Sequence, residues 1–157
     1  MTDDPVEDLT FDFLEEKFAA APDDSILKNL ELHDTLFKPI EKDAGVRISD
    51  AESDFSINAQ DEMQEYDALL TLVCFARIEG ADKTERRAAR RRAFQISKAV
   101  AQLFFNDERM NGRVCHSRIL PAVRGFDSIN SKPYAVVNMP IVFNESGQVN
   151  FDKRRNY

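Results

Sequence analysis

Residues 68–78 read ALLTLVCFARI, and this stretch decides the fold. In an extended chain Leu70, Leu72, Cys74, Ala76 and Ile78 share one face. Leu69, Val73 and Phe75 lie on the other, with Thr71 and Arg77. Apolar residues on both sides of a period-two pattern predict a central strand covered on each face. Glu79-Gly80-Ala81 ends it, and a helix follows at once. Asp82 is placed to accept from first-turn amides, with Glu85 three residues on, a start resembling a capping box. Ala89, Ala93, Ile96, Val100, Leu103 and Phe104 recur at spacings of three and four, one apolar stripe running to about residue 105. Asn111-Gly112 marks the turn after it.

Working outward, the N-terminal stretch is predicted helical. Pro5 suits a first turn, and Leu9, Phe13, Leu14 and Phe18 recur at helical spacing. Pro22-Asp23-Asp24 stops that helix, and a second short one is expected over 25–32. Short strands are read at 36–40 and 45–48. Towards the C-terminus, 114–123 is one strand candidate, ending near Gly125. The other is 134–143, where Ala135, Val137, Met139, Ile141 and Phe143 alternate with Tyr134, Val136, Asn138 and Pro140. Proline cannot donate to a ladder, so Pro140 is expected at a sheet edge or a bulge. The reading is a single α+β domain over 1–157. It has an antiparallel sheet, an N-terminal helix and one long helix packed across the sheet.

Charge is divided along the chain. Residues 1–67 hold 20 acidic against 5 basic side chains, and residues 68–157 hold 8 against 16, within a total of −7. Such a split suits a surface positive on one side and negative on another, as head-to-tail packing of identical subunits requires. The densest basic signal is Arg86, Arg87, Arg90, Arg91 and Arg92, within two helical turns. Arg86 with Arg90, and Arg87 with Arg91, are like-charge pairs one turn apart, each unfavourable by about 0.2–0.5 kcal/mol. The cluster also lies in the N-terminal half of its helix, where the dipole disfavours cations. A bland reading is a solvated face. A sharper one is a contact surface for carboxylate or phosphate, which guanidinium binds in bidentate fashion. The acidic counterpart is residues 49–67, read as an extended acidic loop or hairpin arm, with Asp50, Glu52, Asp54, Asp61, Glu62 and Glu65 as candidate interface residues. Residues 151–157 form a basic tail.

No apolar run reaches the roughly 18 residues of a membrane span. The acidic start, Met1-Thr2-Asp3-Asp4, has the wrong sign for a leader, so a soluble intracellular protein is expected. Cys74 and Cys115 read as buried free thiols, not as a disulfide framework. With His33 and His116 they show no metal-ligand spacing, so no metal or cofactor is expected. No nucleophile elbow, phosphate loop or dinucleotide fingerprint is present, and no enzyme is expected.

The element order 6–18, 68–78, 82–105 and 134–143 resembles the tail terminator proteins of long-tailed bacteriophages, which run N-terminal helix, antiparallel strands, long helix across the sheet, further strands. The resemblance implies a virion structural protein made in the host cytoplasm and resident in the tail or neck. It implies a homo-oligomeric ring, commonly a hexamer, capping the tail tube protein and presenting a surface to the head–tail connector protein, with DNA passing through the lumen. Head–tail connector or neck completion proteins share this pattern and remain an alternative. A small nucleic-acid-binding module using the arginine helix is the rival of a different class.

Overall fold

The computed structural model describes residues 4–34, 39–58 and 63–144, with backbone alone for 53–58 and 63–67. The elements are α1 (Val6–Ala20), β1 (Glu31–His33), β2 (Ala44–Ile48), β3 (Glu52–Asn58), β4 (Met63–Arg77), α2 (Lys83–Asn106), β5 (His116–Ile119), β6 (Val123–Ile129) and β7 (Lys132–Asn144). Seven strands form one sheet ordered β1-β2-β4-β7-β5, with β3 added to β4 and β6 added to β7. The α+β class and the two helices are as expected. One pairing departs from an antiparallel sheet: β1 runs parallel to β2.

Both helices cover the same face. Leu70, Leu72, Cys74, Ala76 and Ile78 of β4 join Ala135, Val137, Met139, Ile141 and Phe143 of β7 in one core, with Phe13 and Leu14 of α1 and Ile96, Val100 and Phe104 of α2. Asp82 caps α2 by accepting from the Glu85 amide at 2.8 Å. Phe104 sits at the junction, its ring 5.3 Å from Phe13 and 6.2 Å from Phe143. Burial pushes the Cys74 thiol up to about 12, so it behaves as a small apolar side chain. Cys115 is only half-buried.

The opposite face corrects the expectation of cover on both sides. Phe75, Tyr134 and Val136 form a small second cluster there, with Val73 only partly buried and Leu69 exposed. Apolar alternation on that face reflects this side cluster, not a second helical layer.

Three further readings are revised. Residues 25–32 do not form a helix; 23–29 run through turns into β1, whose three residues are too few to leave a periodic signal. The stretch 114–123 is not one strand. It is β5, a break at Leu120-Pro121-Ala122, and the start of β6, which continues through Gly125. Pro140 is not at a sheet edge. It lies inside β7, paired with Thr71 of β4. Its carbonyl accepts from the Leu120 amide at 2.9 Å, so its nitrogen faces the gap between β5 and β6, where no ladder donor is needed. The strand read at 45–48 is β2. Most of 36–40, and all of 151–157, lie outside the described residues.

The packing makes a sharp contrast between adjacent phenylalanines. Phe104 is 1% exposed and Phe105 61%. Phe104→Ala is expected to cost about 3–5 kcal/mol and Phe105→Ala less than about 0.5 kcal/mol in chemical denaturation.

Candidate functional site: an arginine and aromatic groove beside an open strand

The N-terminal half of α2 turns its apolar stripe, Ala89 and Ala93, to the sheet, leaving Arg86, Arg87, Arg90, Arg91 and Arg92 exposed. On one flank of the helix lies β6, whose Arg124 and Phe126 pair with Val137 and Ala135 of β7 and therefore share the helix-covered face. Helix and strand interleave there. The Arg124 guanidinium sits 4.1 Å from the Phe94 ring, and that of Arg90 4.8 Å from the Phe126 ring. Arg87, Arg90, Arg91, Phe94 and Arg124 line an open groove of about 450 Å³.

Contacts of this kind at exposed sites contribute about 0.5–1 kcal/mol each. The Arg90–Phe126 contact offsets part of the like-charge repulsion along α2, as does the bond from Arg86 to the Ala81 carbonyl at 2.7 Å. Among the described residues, therefore, an aromatic ring steadies Arg90 and a carbonyl steadies Arg86, and no carboxylate pairs with either. Among the described residues none of Arg86, Arg87, Arg90 or Arg91 forms an ion pair. Arg92 lies on the other flank, in a separate cleft of about 350 Å³ with Glu41 and Asp43.

The structure places the acidic candidates elsewhere. Asp50 is exposed between β2 and β3, and Glu52 is exposed at the start of β3. Asp54 lies on β3, and Glu65 on β4, in a hairpin where Asp54 pairs with Asp67 and Ser56 with Glu65. Asp61 and Glu62 lie outside the described residues. This hairpin stands at the end of β4 remote from the groove. Phe104, near the end of α2, packs on Phe143, which pairs with Ala68 at the root of the hairpin. Phe104 is fourteen helical steps beyond Arg90, and Glu65 is three strand steps before Ala68. At about 1.5 and 3.3 Å per residue this is roughly 30 Å, several screening lengths. At that separation the arginine groove and the far part of the hairpin cannot neutralise each other by contact within one chain.

A second polar cluster, on the helix-free face, left little trace in the sequence. His33 Nε2 donates to Glu31 at 2.5 Å, and the Glu31 carboxylate accepts from the amides of Glu41 and Lys42. Burial raises the Glu31 carboxyl, but the Lys42 and Glu41 amides and His33 outweigh it and hold it below its ordinary value. Burial pushes the Tyr134 hydroxyl up, opposed by Arg77. Gly45, opposite Glu31, is required here, because a Cβ would run into the Glu31 carbonyl. The cluster fastens the 39–43 segment across β1 and contains no activated nucleophile. Among the described residues no group of three or more His, Cys, Asp or Glu is placed to hold a metal ion, and no helix is long and apolar enough to cross a membrane. No protein-family model matches the chain, and no curated protein does.

Glu31 gives a pH test. A lowered carboxyl contributes stability at neutral pH that is lost as pH falls through the folded-state value, below the ordinary 4.5. Glu31→Gln is expected to lower unfolding free energy at pH 7 by about 1–3 kcal/mol. The gap to wild type should close on acidification below that ordinary value, as measured by urea denaturation across pH.

Proposed function

We propose that this protein is a structural assembly subunit that packs head to tail into a closed ring, and that the ring is a phage tail terminator. The observation that carries the reading is the separation of charge. An arginine groove without carboxylate partners among the described residues lies at one end of the sheet, and the β3–β4 hairpin, part of a stretch with seven acids and no base over 49–67, extends from the other. Isologous dimers pair a patch with itself, whereas rings need two different complementary patches. Each subunit supplies one of each, too far apart to meet internally.

In this reading the arginine face of one subunit meets the acidic hairpin of the next, and the ring, most simply a hexamer, caps the tail tube and offers its far side to the head connector. DNA passes through the lumen without sequence-specific contact, and the protein resides in the virion tail or neck after synthesis in the host cytoplasm. The role is assembly, not catalysis. A head–tail connector or neck completion ring would use the same surfaces and differ in the partner ring.

One observation favours a second reading. Arg124 on Phe94 and Arg90 on Phe126 bring aromatic rings into a basic groove, a combination that suits single-stranded nucleic acid. Both readings predict salt sensitivity, the first of self-association and the second of nucleic-acid binding.

Arg90→Glu combined with Arg91→Glu separates them. Light scattering coupled to size exclusion, with and without tail tube, is expected to show self-association weakened by about tenfold or more, the thermal melt being unchanged because exposed charges of this kind add little to stability. A double variant that assembles as wild type does would sink the ring-interface role. A wild-type protein that ignores the tube and shifts with single-stranded DNA would move the assignment to the nucleic-acid module.

A further inference from the structure

We infer, on the head-to-tail reading above, that the subunits join by strand addition, with the outer edge of β6 pairing to the outer edge of β3 in the next copy. The two edges are open and lie on opposite sides of the sheet. Among the described residues β6 pairs with β7 alone and β3 with β4 alone, β6 on the β7 side of the central pair and β3 on the β4 side. Each subunit thus offers one open strand of each kind, which is what a heterologous, ring-closing contact uses.

Register shows which groups of β6 are on offer. Asn130 and Ser131 both have positive φ, 52° and 66°, as a two-residue type I′ turn requires between Ile129 and Lys132. In such a hairpin the bonded pairs are Ile129–Lys132, Asp127–Tyr134, Gly125–Val136 and Val123–Asn138. Arg124, Phe126 and Ser128 therefore direct their amides and carbonyls away from β7. The Ser128 amide is taken by the Asp127 carboxylate at 2.8 Å. The Arg124 and Phe126 amides are left as the docking donors.

A long open edge on a soluble protein is a hazard that sequences usually blunt. Here it is flanked by two exposed apolar side chains, Val123 at 63% and Phe126 at 48%. The arginines of α2 stand over the same edge, which selects an acidic strand and disfavours a second β6. The strand that this chain itself supplies with that character is β3, which carries Glu52 and Asp54 with no basic residue and continues the acidic run from Asp50. Backbone pairing provides the affinity and charge the choice of partner.

Proline at position 126 is the direct test, because the Phe126 amide makes no bond to β7. Phe126→Pro is expected to weaken self-association by about tenfold or more, one or two lost ladder bonds being worth that factor, while the melting temperature stays near wild type. Phe126→Ala, which keeps the amide, is expected to retain most of the assembly. Hydrogen exchange of the unmutated chain is the second readout, independent of how the variants fold: the 123–129 peptide should exchange more slowly in the assembled than in the dissociated protein. Unchanged exchange there, or a Phe126→Pro variant that assembles normally while Arg90→Glu/Arg91→Glu does not, overturns strand addition and leaves the ring standing. A wild-type chain that stays monomeric with and without tail tube overturns both.

Discussion

Eleven consecutive residue pairs between β4 and β7, from Asp67–Asn144 to Arg77–Tyr134, form the constraint on which the rest of the molecule depends. Every other strand except β1 pairs with one of these two, and α2 packs over both. The pair is longer than its partners, so each side of it is served by two strands in succession. On the β4 side the handover from β2 to β3 occurs at Ser49. Its amide and hydroxyl donate to the Thr71 carbonyl, and its hydroxyl accepts from the Thr71 amide. On the β7 side the handover from β6 to β5 occurs at Pro140. Thr71 and Pro140 are register partners, so both handovers fall at one level of the sheet. A proline at that level of β7 removes a donor that neither flanking strand is present to use.

This geometry also sorts the charges. α2 leaves the end of β4 and returns along it, which puts its arginine half at one end of the sheet and Phe104 at the other. The hairpin of β3 and β4 extends beyond the Phe104 end. Part of the charge division seen in the sequence is thereby converted into a separation along β4.

How much of this was legible follows from how local each signal is. The central strand and the long helix were readable because their apolar residues face one large core, and the periodicity of each records that single interface. The same rule misled where a face has mixed duty. Phe75 is buried on the helix-free side but Leu69 is not, and a sequence does not distinguish a three-residue side cluster from a second layer. The groove was half readable. Its arginines are adjacent in sequence, but Arg124 and Phe126 reach them only through the β6–β7 hairpin, whose turn is Asn130-Ser131 and lacks the usual glycine. The Glu31 and His33 cluster depends on a three-residue parallel strand and on backbone amides ten residues away, contacts with no periodic trace.

The arginine row is the least favourable feature of the single chain. Five guanidinium groups repel one another and oppose the dipole of their helix, and within the described residues one aromatic ring, that of Phe126 on Arg90, and one carbonyl, that of Ala81 on Arg86, steady two of them. Beside them an edge strand leaves two amides and two large apolar side chains to water. A chain that remained alone would gain from fewer adjacent arginines on α2 and from the usual protections of a strand edge on β6. Both become favourable together under one condition, that an acidic strand lies along β6. It would satisfy the amides, cover Val123 and Phe126, and bring carboxylates to the guanidinium groups. The same condition relieves the hairpin, whose acids likewise have no basic neighbour in sequence over 49–67. Two unfavourable surfaces that a single complementary contact would resolve, placed far apart in one chain, are the physical basis for proposing that the chain assembles.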